Sequence, residues 1–80
     1  MKTFNRPSFA DGQIEVRYCD KEMCIYGTAS GLERLIQLIR DLISTNQDQE
    51  SAHIHVEDFD LLTKSSLKCV VALFNESKSA

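Results

Sequence analysis

Two histidines and a glutamate occupy alternate positions in His53-Ile54-His55-Val56-Glu57. Side chains alternate faces along an extended chain, so His53, His55 and Glu57 share one side while Ile54 and Val56 share the other. The two imidazoles then stand roughly 7 Å apart along the strand. An H-x-H pair is a legitimate two-ligand metal arrangement, to which Glu57 or Cys24 could add a third donor. Without a metal, histidines that titrate near neutral pH can tune a protein interface. No further clustered ligand motif is present, so the pattern favours surface or interface histidines on a half-exposed sheet over a metal site using His53 and His55.

The remaining residues narrow the chemistry further. There is no G-x-S-x-G, no phosphate-cradling glycine loop and no H-E-x-x-H. Gly27 and Gly31 flank a helix start, where anions can bind, but a strand exit and a helix entry explain both. Cys24 beside His55 would make a thiolate pair, yet no third group is spaced to orient it. The chain therefore reads as non-enzymatic and without a cofactor. Glu57, Asp58 and Asp60 form an acidic run, either a solvated loop or a lure that speeds association with a basic partner.

Three cysteines, Cys19, Cys24 and Cys69, make an odd number with no C-x-x-C pair, which points to the reducing cytoplasm. A Cys19–Cys24 bridge across a hairpin stays open as an alternative and would constrain the unfolded chain little. At 80 residues the chain makes one small domain, with 42% hydrophobic and 26% charged residues. Its net charge of −3 argues against nucleic acid as a partner. No apolar run is long enough for a membrane span, and Met1-Lys2-Thr3 leads into polar residues instead of a signal-peptide core.

Positioning these groups requires a scaffold, and its elements follow from periodicity. Residues 1–12 lack a period and read as an N-terminal arm that Phe4 and Phe9 pin to the domain at 13–74; residues 75–80 read as a flexible tail. Residues 13–19 alternate, with Ile14, Val16 and Tyr18 on one face. Met23 and Ile25 extend that face in a second strand, 22–27, if Asp20-Lys21 forms the turn; Tyr18 then faces Met23 and Val16 faces Ile25. Ser30 and Glu33 have capping-box spacing at a helix start. Leu32, Leu35, Ile36, Ile39, Leu42 and Ile43 form one apolar stripe along that helix. A third strand, 52–57, carries the histidines. Phe59, Leu61 and Leu62 fold back as an anchor before a fourth strand, 67–74, with Leu67, Cys69, Val71 and Leu73 on its inner face.

The order β-β-α-β-β implies an α+β two-layer sandwich, one four-stranded, mostly antiparallel sheet with one helix on one face. The expected core is Leu35, Ile39, Val16, Ile25, Ile54 and Val71. On the uncovered face Tyr26, Val70, Ala72 and Phe74 would join His53 and His55 in an apolar patch of the kind that marks an interface, if the strand order allows.

Ile25-Tyr26-Gly27 leading into Gly31-Leu32-x-x-Leu35, then His53-Ile54-His55-Val56, then Ser66-Leu67-Lys68-Cys69-Val70-Val71-Ala72-Leu73 resembles immunity protein family 32 of bacterial polymorphic toxin systems. The resemblance covers residues 13–74 and leaves out the arm with Phe4 and Phe9. It implies a protein that neutralises a cognate toxin by binding it, and it supplies no catalytic residues. The expected function is therefore that of a small cytoplasmic binding protein, an immunity protein. Tyr26, His53, His55, Glu57, Asp58, Asp60, Val70 and Phe74 are the candidate contact residues. The alternatives are a homodimeric structural or regulatory domain paired through its open sheet face, and a metal-binding domain using His53 and His55.

Overall fold

The computed structural model describes residues 10–76; Phe4, Phe9 and residues 77–80 of the expected tail lie outside the described residues. Strands β1 (Ile14–Cys19) and β2 (Glu22–Gly27) pair antiparallel, with Val16 opposite Ile25 and Tyr18 opposite Met23. The alternation of the sequence thus finds its register. The turn holds Asp20 at φ 51° and Lys21 at φ 67°, both left-handed. Two such residues make the mirror-image turn whose twist matches that of the strands it joins. Asp tolerates this conformation, whereas Lys21 pays about 1–2 kcal/mol for it.

Helix α1 (Ala29–Thr45) begins one residue before Ser30, and its cap is Thr28. The Thr28 hydroxyl oxygen accepts from the Gly31 N–H at 3.1 Å and from the Gly12 N–H at 3.0 Å. One side chain therefore satisfies the helix start and ties down the loop before β1. The expected Ser30–Glu33 capping box does not form; Ser30 lies in the first turn with its hydroxyl 3.3 Å from that of Thr28. Gly31 is buried against the Gln13 backbone, and a Cβ there would collide with the Gln13 carbonyl. This close approach seats the helix on the row Gly31, Leu35, Leu38 and Leu42. The expected stripe is consequently divided: Leu42 is buried and Leu35 and Ile39 are half-buried, but Leu32, Ile36 and Ile43 are exposed. Leu38, outside the expected stripe, packs on the core instead. Ile25, expected in the core, is 51% exposed: it sits on the outer strand, β2, whereas Val16 opposite it is buried on β1 beside Ser66 and Leu67.

Strands β3 (Ser51–His55) and β4 (Val70–Phe74) form the second hairpin, with Ile54 opposite Val71. Both are shorter than their patterns suggested. β3 ends at His55 because Val56–Phe59 turns into a short 3-10 helix, and Asp60 leaves it left-handed at φ 54°. Segment 61–67 does not start a strand of the second hairpin; it runs along the outer edge of β1. The Ile14 N–H donates to the Leu61 carbonyl, and the Ile14 carbonyl accepts from Thr63. Val16 receives Leu67 at its carbonyl, and its own N–H donates to the Ser66 hydroxyl. This irregular strip stands where a strand-to-strand ladder between β1 and β4 would have to run. The described residues accordingly make an α+β fold of one helix and two separate two-stranded antiparallel sheets, and among them the single four-stranded sheet expected from the element order is not formed.

The core sits where the two hairpins and the helix meet. Ile14, Val56 and Leu61 are fully buried there, with Leu35, Leu38, Leu62, Cys69 and Val71 packed around them. Val16 is buried, as expected, and Ile54 and Val71 are half-buried; Leu67 is 45% and Phe59 41% exposed. The chain is still anchored at Asn75, counted above with the flexible tail: its amide donates to the carbonyls of Asn46 and Gln49, and its N–H to Glu50.

Leu61→Ala and Leu42→Ala should each cost ~2–5 kcal/mol in urea denaturation, and Ile36→Ala distinctly less. Gly31→Ala should destabilise as well, although alanine gains about 1 kcal/mol in helix propensity over glycine. A midpoint for Ile36→Ala as low as that for Leu61→Ala would show that the helix buries another face. Glu33→Ala serves as the silent control.

Candidate functional site

In the β3–β4 ladder His53 faces Ala72, His55 faces Val70 and Ser51 faces Phe74. These six residues share the side of the hairpin turned away from Ile54 and Val71, and all are exposed. Phe74 is 77% and Val70 53% exposed. The two imidazoles meet edge to face with ring centres 5.2 Å apart. The structure therefore brings His53, His55, Val70, Ala72 and Phe74 onto one surface. Tyr26 is not part of it: it sits on β2 in the other sheet, opposite Glu15.

Glu57 also leaves the histidine strand, since it belongs to the 3-10 helix. It stays close to it, with Oε2 3.4 Å from His55 Nδ1, while Oε1 accepts from the Cys69 N–H at 3.2 Å. Its own backbone N–H, and after it that of Cys69 and the His55 imidazole, hold the carboxyl below its ordinary value. Glu57 thus pins the start of β4 to the end of β3. Asp58 and Asp60 beside it are exposed.

This arrangement offers recognition more readily than bond chemistry. Among the described residues, no three His, Cys, Asp or Glu side chains converge on a point that could hold a metal ion. Cys24 lies in the other sheet from His55. Cys69 belongs to the core side, and burial, followed by the charge of Glu57, pushes its thiol up, away from the thiolate a nucleophile needs. All three cysteines are unbonded, so the Cys19–Cys24 bridge is not made.

Two features had no signal in the sequence. Glu15 alternates onto what looked like the open face, yet it is only 1% exposed. The Thr63 hydroxyl donates to its Oε1 at 2.6 Å, and Arg17 pairs with Oε2. The Thr63 bond, then Arg17, depresses the Glu15 carboxyl below 4.5, outweighing the burial that pulls it up. Beside it the Tyr26 phenol is raised, first by burial and then by Cys24. The second feature is a groove of about 260 Å³ between α1 and β3, floored by Leu38, Leu42, Ile54 and Phe59 with Asp41 and Thr45 on its wall. Only folding brings these positions together.

Compared with family models, with curated proteins and with solved structures, the chain matches none.

Glu15 titrates lower in the folded chain than in the unfolded one, so its contribution to stability is present above the unfolded value and fades as pH falls through the native one. Thr63→Val should weaken the fold at pH 7 and flatten the loss of stability between about pH 5 and pH 3, because less depression is left to lose. Urea midpoints across that range check this; parallel curves for variant and wild type would mean that Thr63 does not hold the carboxylate.

Proposed function

We propose that this protein is a small cytoplasmic binding protein, an immunity protein that neutralises a cognate toxin by covering its working surface, with no chemistry of its own. The observation that carries the reading is the outer face of the β3–β4 hairpin. There two histidines in edge-to-face contact and the side chains of Val70 and Phe74 lie exposed together. Aromatic and apolar groups packed beside titratable ones form the kind of surface that buries well against a protein. The exposed Asp58 and Asp60 next to it favour rapid encounter with a basic surface. Three unbonded thiols suit a reducing compartment. No helix among the described residues is long and apolar enough to cross a membrane.

The same apolar face supports a second reading, a homodimer paired through it. Phe74→Asp separates the two. If a second copy covers the face, the wild type sediments as a dimer and the variant as a folded monomer. If another protein covers it, the wild type sediments as a monomer and the variant loses that protein.

The direct test is titration against the product of the neighbouring gene. Replacing both His53 and His55 with alanine should leave the circular dichroism unchanged and weaken binding by roughly thirtyfold, about 2 kcal/mol, if they anchor the interface. Chelator should change nothing; a loss on chelation that matches the double variant would transfer the histidines to a metal role. Unaltered affinity in every case would exclude this face.

A further inference from the structure

We infer that the outer edge of β3, together with the groove under α1, takes up an extended basic segment of a partner protein by strand addition. The inference rests on the binding-protein reading above and adds the mode of contact and the chemistry of the segment. The ladder decides which backbone groups are free. Val56 donates to Cys69 and Asn75 to Glu50 across the hairpin, and both pairs fall in the register of Ile54 with Val71. Hydrogen-bonded pairs alternate with open ones in an antiparallel ladder. Residues 52 and 54 therefore bond to β4, while the N–H and C=O groups of Ser51, His53 and His55 point away from it. Among the described residues no backbone bond reaches that edge. An incoming strand would find three evenly spaced open positions there, the pattern used in β-augmentation.

The groove supplies what such a strand needs next. A residue of the added strand on the side of Ile54 enters between Leu38, Leu42 and Phe59, where a long aliphatic stem packs well. Its end then reaches Asp41, one of whose oxygens accepts from Gln37. The charge is one-sided: residues 41–63 contain Asp41, Asp48, Glu50, Glu57, Asp58 and Asp60 and no lysine or arginine. Acids thus precede β3, follow it and line its groove. Arg34, on the adjoining helix surface, is engaged with the carbonyls of Gly12 and Phe59. Lysine or arginine meets this surface in both its parts, stem on the apolar floor and charge on the acidic wall.

The test uses the isotope-labelled full chain and a blocked heptapeptide of alternating valine and lysine, with the valine–glutamate peptide for comparison. The lysine peptide should shift the amides of Ser51, His53, His55 and Asp41 saturably, and the glutamate peptide should bind at least about tenfold more weakly. His53→Pro removes an N–H that the fold does not use, and should cost about tenfold or more in affinity, whereas Glu33→Ala, on the exposed surface of the helix, should leave peptide binding within about twofold. If circular dichroism shows that His53→Pro does not fold, Asp41→Lys takes its place with the same expected loss. Absence of shifts at these amides, equal affinity for both peptides, or protection of the edge that grows with protein concentration alone would overturn the inference; the last would assign the edge to a second copy. Failure here alongside a partner lost on changing His53 and His55 to alanine leaves the binding-protein reading standing. Peptide binding at the edge with no partner for the outer face does the reverse.

Discussion

Everything in this fold depends on the backbone bonds that Ile14 and Val16 make with segment 61–67. A two-stranded hairpin is marginally stable by itself in water, and the described residues contain two of them. Ile14 gives both its N–H and its C=O to that segment, and with Leu61 and Val56 it forms the fully buried centre. The hydrogen bonds and the apolar contacts therefore coincide, each shielding the other from water. The same strip also explains why the two hairpins remain separate sheets, since an irregular run with Ser65 and Ser66 occupies the edge that a continuous ladder would require.

The carboxylates of the protein divide into two kinds. Glu15 and Glu57 are tied to hydroxyl, guanidinium or backbone donors and serve the architecture. Asp58 and Asp60 stand exposed around the histidine strand, and Asp41 lines the groove. Glu15 is also an economical joint, because its partner Thr63 comes from the strip that links the hairpins. A charge on the first strand thus reports on whether the second hairpin is docked.

Much of the local structure was readable in the residues. Alternation in Ile14, Val16 and Tyr18 against Met23 and Ile25 defined a register, because a slip by one residue would have exchanged the faces. Alternation also put His53 and His55 on one face of their strand and Val70, Ala72 and Phe74 on one face of the last, but the register between those strands came only with the fold. Long-range choices were not readable. Whether Leu32 or Leu38 turns inward depends on how closely Gly31 meets Gln13, and no helical period carries that information. Thr28 displaced Ser30 as the cap because Gly12 also needed an acceptor, a demand that arises only in three dimensions. Strand patterns likewise ran on through Val56-Glu57 and Leu67-Lys68, where backbone bonding to other segments stopped them. In the candidate site, the histidine face was legible, while Tyr26 was assigned to it only through an assumed continuous sheet.

The junction of Ile14 with Leu61 sets the order of assembly. Each hairpin closes through neighbouring residues, an event of about 1–10 μs, and the helix forms faster still. Contacts between Ile14 and Leu61 join residues far apart in the chain, so the entropy of closing that loop falls due before the core can repay it. Docking of the two hairpins, through the backbone bonds of Ile14 and Val16 to segment 61–67, is the step this topology makes slow. Refolding should therefore be governed by docking, and chain connectivity, more than local propensity, decides its rate.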